Sequence, residues 1–213
     1  MAVRSGGAAA RLLVTGFGPF PGAPVNPTAR LAEVLRARPP EWALAGEGAF
    51  RAEVLDVDYA AIGPRLSRIG AEFAPDIAIH FGLAAECRGF RLERVARNSH
   101  AGARPDINGA LPAATAICAG PATLASRLPL GAIAAALEAA GLPVEWSDDA
   151  GGYLCNMTMT LSLARACEGF APAVSGFVHV PLTREAGGTA LAEADLLAGA
   201  RIIIDSCLAH WPA

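Results

Sequence analysis

Charge is scarce in this sequence. Asp, Glu, Lys and Arg make up 17% of its 213 residues against 53% hydrophobic residues, with a formal net charge of −3 and a mean hydropathy of +0.38. That balance excludes an intrinsically disordered chain, which is poor in apolar residues and strongly charged. The mild acidity and the absence of clustered basic residues speak against a nucleic-acid partner. No run of 18 apolar residues occurs. The longest candidate, residues 130–142, is Ala-rich and carries Gly131 and Glu138, so no membrane partner is expected. Residues 1–10 hold one Arg and a short Gly/Ala run, too weak a pattern for a secretory signal. The five cysteines, Cys87, Cys118, Cys155, Cys167 and Cys207, are odd in number and contain no CxxC pair. They form neither a disulfide framework nor a zinc site, and they fit a reducing, cytoplasmic setting.

What is present suits one folded unit. A chain of this length buries about 70% of the surface its unfolded form exposes and needs no metal or disulfide staple. We expect a single domain over 1–213, with residues 1–10 as a flexible N-terminal extension.

Hydrophobic periodicity alternates strand and helix along the chain. Strands are expected at 11–16, 52–57, 76–82, 143–147 and 175–181. Asn26-Pro27 reads as an N-cap with proline at the first helical position, opening a helix that Pro39-Pro40 ends. Ile62, Leu66, Ile69 and Phe73 mark a second helix, with Pro64 near its start. Further helices are expected at 130–140, with Gly141 closing it, and at 156–168 and 189–208. Between residues 84 and 127 periodicity fades, and a stretch that long is functional or hides short elements. The alternation gives an α/β fold, a sandwich whose largely parallel sheet is covered by helices on both faces.

Few residues look equipped for chemistry. The loop Gly16-Phe-Gly-Pro-Phe-Pro-Gly22 follows a strand and precedes a helix, yet it matches neither a dinucleotide fingerprint nor a P-loop. Phe17 and Phe20 either cap the core or clamp a flat ligand at the carboxyl end of a strand. Cys155 follows Gly151-Gly152 at the start of a helix, where a thiolate is favoured and backbone N–H groups face an oxyanion. Cys118, Cys167 and Cys207 read as packing groups. His179 lies near the end of a strand, as a core imidazole or an active-site base. His80 reads as a core histidine, while His100 and His210 read as solvated. Glu93, flanked by arginines, is either a surface ion-pair residue or the third member of a triad. Spacing alone does not show that Cys155, His179 and Glu93 meet.

Several motifs in order resemble the pyroglutamyl peptidase I (pyrrolidone-carboxylate peptidase) family of cysteine peptidases. They are Val14-Thr-Gly-Phe-Gly-Pro-Phe20 with Asn26-Pro-Thr28, Pro75-Asp-Ile-Ala-Ile-His-Phe-Gly-Leu-Ala84, Glu93-Arg-Val-Ala-Arg-Asn98, Arg104-Pro-Asp106, Ala150-Gly-Gly-Tyr-Leu-Cys-Asn156 and Gly176-Phe-Val-His-Val-Pro181. The resemblance implies a cofactor-free exopeptidase removing an N-terminal pyroglutamyl residue, commonly a homotetramer, with an α/β/α sandwich fold. It assigns Cys155 as nucleophile, His179 as base and Glu93 as the carboxylate orienting it. It places Phe17, Phe20, Tyr153 and the backbone at Leu83 around the substrate, with Asn26 bracing the loop.

Three departures from the family pattern surround the expected pocket. Glu86-Cys87 stands where Gly-Arg is usual. Arg104 stands before Pro105, where an apolar residue is usual and the arginine comes one place earlier. The Asp148-Asp149 pair adds acid near Cys155. The alternatives are the same triad acting on another small cyclic amide or acyl group, or a non-catalytic member that only binds ligand.

Overall fold

The computed structural model describes residues 9–211. Eight strands are named among them: β1 (Arg11–Phe17), β2 (Ala49–Leu55), β3 (Ile77–Leu83), β4 (Phe90–Glu93), β5 (Val95–Arg97), β6 (Thr123–Ala125), β7 (Val144–Ser147) and β8 (Val174–Val180). The helices are α1 (Pro27–Ala37), α2 (Glu41–Leu44), α3 (Tyr59–Phe73), α4 (Leu130–Ala139), α5 (Leu154–Ala164) and α6 (Glu193–Ala209). Six strands form the main sheet in the order β2-β1-β3-β8-β4-β7, and β5 pairs with β6 in a separate ribbon. Every pair in the main sheet is parallel except β4 with β8.

Side-chain alternation divides the sheet's two faces. Leu12, Val14, Ile77, Ile79, Phe81, Leu92, Val178 and Val180 pack with α1, α4 and α6. Leu13, Ala78 and Phe177 pack with α3 and α5. The helices covering those faces begin where the sequence supplies caps. Asn26 Oδ1 accepts from Thr28 N–H at 3.1 Å with Pro27 opening α1, and Asp58 Oδ1 accepts from Ala60 and Ala61 N–H, starting α3. Among the described residues no helix is long and apolar enough to cross a membrane.

Several boundaries differ from expectation. The stretch 84–127 contains β4, β5 and β6, strands of three or four residues that are too short to show a period. The helix α2 was not foreseen. The helix carrying Cys155 begins at Leu154 and ends at Ala164, where Arg165 turns left-handed at φ 53°. The last helix starts at Glu193 because the Asp195 carboxylate accepts from Ala192 N–H at 2.9 Å. Upstream of it, residues 184–186 form a 3₁₀ turn and Thr183 bridges Leu191. The expected N-terminal extension lies outside the described residues except for its last two, of which Ala10 is buried and accepts from Ala49 N–H.

Candidate active site

The middle of the sheet brings three distant segments together. Gly82 on β3 is the register partner of His179 on β8, and Arg91 on β4 pairs with His179 from the other side. Alternation then turns Ser175, Phe177 and His179 toward α5, and Glu93 toward the same face. Glu93 is fully buried and His179 is 6% exposed. His179 Nδ1 donates to Glu93 Oε1 at 2.8 Å. Among the described residues Glu93 Oε2 is buried with no hydrogen-bond partner, so the bond to His179 compensates a carboxylate that is costly to bury alone.

Cys155 enters from the opposite direction, in the first turn of α5. Asn156 sets that turn: its side chain accepts from Arg97 N–H at 2.9 Å and donates to the Arg97 and Ser99 carbonyls. Two glycines permit the approach. A Cβ at Gly152 would stand 2.1 Å from the Ala101 carbonyl oxygen, and a Cβ at Gly82 would stand 2.9 Å from Cys155 Sγ and 2.6 Å from the Phe177 ring. The thiol thereby comes to face the same cleft as His179, close enough for its sulfur to act electrostatically on the ring. Burial opposes charge on the His179 ring, but the neighbouring Cys155 sulfur and the hydrogen-bonded Glu93 carboxylate outweigh it and raise the ring to about 9.

Cys155 and His179 sit at the wall of an open cleft of about 540 Å³, with Glu93 buried behind the ring; the cleft is lined also by Phe17, Phe20, Asn26, Leu83, Arg104 and Tyr153. Phe17 is buried with its ring 6.2 Å from Phe177, and the half-buried Phe20 stands 5.8 Å from Tyr153. Asn26 donates to the Gly18 carbonyl at 3.1 Å and accepts from the Thr28 hydroxyl, which itself accepts from Phe17 N–H at 2.9 Å. The loop bearing both phenylalanines is thus tied to the start of α1. Leu83 ends β3 opposite Val180. Tyr153, the N-cap of α5, donates its hydroxyl to the Pro105 carbonyl at 3.0 Å.

The remaining cysteines and histidines lie elsewhere. Cys87, Cys167 and Cys207 are buried, and burial pushes their thiols up to about 12, 11 and 12. Cys118 is half-buried and also raised by burial. His80 is fully buried against the Thr15 hydroxyl at 2.8 Å. His100 is half-buried rather than solvated, its ring edge-on to Tyr59 at 5.7 Å, because the loop folds back over α3. The Asp148-Asp149 pair adds little net negative charge, since Asp148 pairs with Arg94 and Asp149 with Arg97 at 2.9 Å. Sequence reading gave no role to Thr28, Asn98 or Asn156. Asn98 Oδ1 accepts from Ile117 and Cys118 N–H. The signal available for these residues was a polar side chain beside a turn or a helix start.

A buried carboxylate bonded to an imidazole, with a half-buried thiol at a helix start on the same cleft, is the arrangement a cysteine hydrolase requires. The model of the pyroglutamyl peptidase family matches residues 10–193, and the chain belongs to that family. It is 37% identical to the pyrrolidone-carboxylate peptidase of Pyrococcus furiosus over 176 residues, 82% of each chain. It is 34% identical to pyrrolidone-carboxylate peptidase 1 of Ralstonia nicotianae over 92% of each. The solved structure of a point mutant of the Pyrococcus furiosus pyrrolidone carboxyl peptidase superposes with a TM-score of 0.85 at 32% identity, covering 94% of this chain and 99% of that one.

Proposed function

We propose that this chain hydrolyses the bond between an N-terminal pyroglutamyl residue and the next residue of a peptide, with Cys155 as nucleophile, His179 as general base and acid, and Glu93 as the positioning carboxylate. The observation that carries the reading is the hydrogen-bonded pair Glu93–His179 with its imidazole beside Cys155 at the wall of an aromatic cleft. The sulfur, its proton held on His179 Nε2, attacks the pyroglutamyl carbonyl carbon. The carbonyl electrons move to oxygen, which faces the backbone N–H groups at the start of α5. As the C–N bond breaks, His179 returns the proton to the leaving amine and a thioester remains on Cys155. Water then adds to the thioester, giving a proton to His179, and collapse releases pyroglutamate and returns the proton to sulfur.

The lactam is flat and uncharged, so selection by aromatic faces and backbone hydrogen bonds is sufficient. Phe17 and Phe20 supply the faces, Leu83 the backbone groups, Tyr153 a further wall, and Asn26 holds the loop. In this reading the whole chain acts as one cytoplasmic peptidase domain, without a cofactor, assembled as a homotetramer.

The test is hydrolysis of a pyroglutamyl arylamide with and without a thiol alkylator. Turnover abolished by alkylation is the expected result. Turnover that survives complete alkylation of Cys155 removes the thiol mechanism. No turnover of the arylamide, with turnover of another cyclic or acyl amide or with ligand binding alone, replaces the substrate reading.

A further inference from the structure

The cleft contains one charge that the protein does not answer. Its charged lining residues, His179 aside, are Glu86, Arg91, Asp149 and Arg104. Arg91 pairs with Glu86 at 2.7 Å and with Glu145 at 3.0 Å, and Asp149 pairs with Arg97 at 2.9 Å. Arg104 has no carboxylate within ion-pair distance among the described residues. Its guanidinium carbon lies 4.9 Å from the centre of the Tyr153 ring, the residue two before Cys155. Stacking occupies one face of the exposed fork, and its N–H donors have no hydrogen-bond acceptor among the described residues.

The backbone beneath this side chain is fastened. Tyr59 donates to the Arg104 carbonyl at 3.0 Å and Tyr153 donates to the Pro105 carbonyl. Asp106 accepts from the N–H groups of Tyr59, Asn108 and Ala110. Burial raises both phenols, Tyr59 to about 12, so neither supplies an anion to the guanidinium.

An exposed arginine held in this way over an aromatic ring is pre-organised to receive a carboxylate, its best planar partner. The pyroglutamyl lactam carries no charge, so the acid must belong to another part of the substrate. Resting on the pyroglutamyl reading above, we propose that Arg104 is a specificity residue favouring substrates with a carboxylate just beyond the scissile bond. Two groups present one there: an acidic side chain on the residue after pyroglutamate, and the free α-carboxylate of a pyroglutamyl dipeptide.

The test compares kcat/KM for three substrates, pyroglutamyl-Gln-amide, pyroglutamyl-Glu-amide and pyroglutamyl-Gln with a free carboxyl group, in the wild type and in Arg104→Met, which retains the apolar stem. The wild type is expected to prefer one or both acids over the neutral amide by about fivefold or more at low salt, as for an exposed but well-aligned pair. The preference should shrink as ionic strength rises and approach unity in Arg104→Met. A gain confined to the Glu-amide assigns the side chain, and a gain confined to the free acid assigns the α-carboxylate. Should Arg104→Met fold poorly, Arg104→Gln and the salt series in the wild type give the same readout. Equal rates for all three substrates in the wild type, or a preference that persists in the variants, overturn the proposal alone. Absence of hydrolysis of all three overturns the pyroglutamyl reading and this proposal with it.

Discussion

The two faces of one sheet are built to opposite rules. On the face covered by α1, α4 and α6, every buried strand side chain is apolar, from Leu12 and Val14 through Ile77, Ile79 and Phe81 to Val178 and Val180. On the face covered by α3 and α5, the same strands bury Thr15, His80, Glu93, Ser175 and His179. A buried polar group contributes to stability only if its partner is present, and it costs stability if the partner is lost. The first face is therefore insensitive to chemistry and sensitive to volume. The second is sensitive to which partner each group retains, and the reacting atoms lie there.

The largest contrast is between one substitution on each face. Ile203→Ala on α6 removes a fully buried side chain and should cost about 2–5 kcal/mol, read as a lower melting temperature. Its activity per folded molecule should be unchanged. Cys155→Ser should act first on turnover, lowering kcat/KM on the order of 10³-fold or more while the apolar packing of both faces is kept. Full activity in Cys155→Ser would end the proposed mechanism.

Next in size is the pair His179 and Glu93, where activity and stability are joined. His179→Ala should be as damaging to turnover as loss of the thiol, because groups that act as a unit do not contribute additively. It should also destabilise the fold by about 3–5 kcal/mol, because it leaves the Glu93 carboxylate buried and unpaired. Glu93→Gln should reduce turnover less, since an amide oxygen still accepts from Nδ1, and adding it to His179→Ala should recover stability. A His179→Ala protein that melts with the wild type would show that Glu93 does not depend on the ring.

Much of the fold and part of the site were legible in the sequence, though the division between the two faces was not, and the illegible part has a physical cause. The Asn26-Pro27 start of α1 and the placement of Cys155 after Gly151-Gly152 rest on local chemistry, which short windows record. Strand β8 was recognisable from its apolar run, so His179 could be placed near the end of a strand. Glu93 could not, because β4 is four residues long and arginines flank it, which reads as a solvated surface. Its burial follows from antiparallel pairing with β8, a contact spanning 86 residues, and no local period encodes that. The resemblance to a known family supplied its role where spacing did not. The stacking of Arg104 on Tyr153 is likewise a meeting of two loops and leaves no local trace.

The smallest effect separates the two histidines of the polar face. In an unfolded chain both titrate near 6.5. Burial alone lowers His80 to about 3, so between about pH 3 and 6.5 the unfolded chain binds more protons than the folded one. Stability there rises with pH, and acid removes it. For His179, burial is outweighed by the Cys155 sulfur and Glu93, which raise the ring to about 9. The folded chain then holds the extra proton between about pH 6.5 and 9. That contribution is complete below 6.5 and is lost as pH rises through about 9. The two slopes have opposite signs and meet near pH 6.5, where these two groups together favour the fold most. Melting temperatures across pH 4–10 should show both limbs in the wild type. His80→Asn, which retains a partner for the Thr15 hydroxyl, should flatten the acid limb alone. Cys155→Ser should flatten the alkaline limb alone by removing the sulfur that helps hold the proton on His179. An acid limb unchanged in His80→Asn would show that His80 is not the buried neutral ring described here. An alkaline limb unchanged in Cys155→Ser would assign the raised proton affinity of His179 to Glu93 alone.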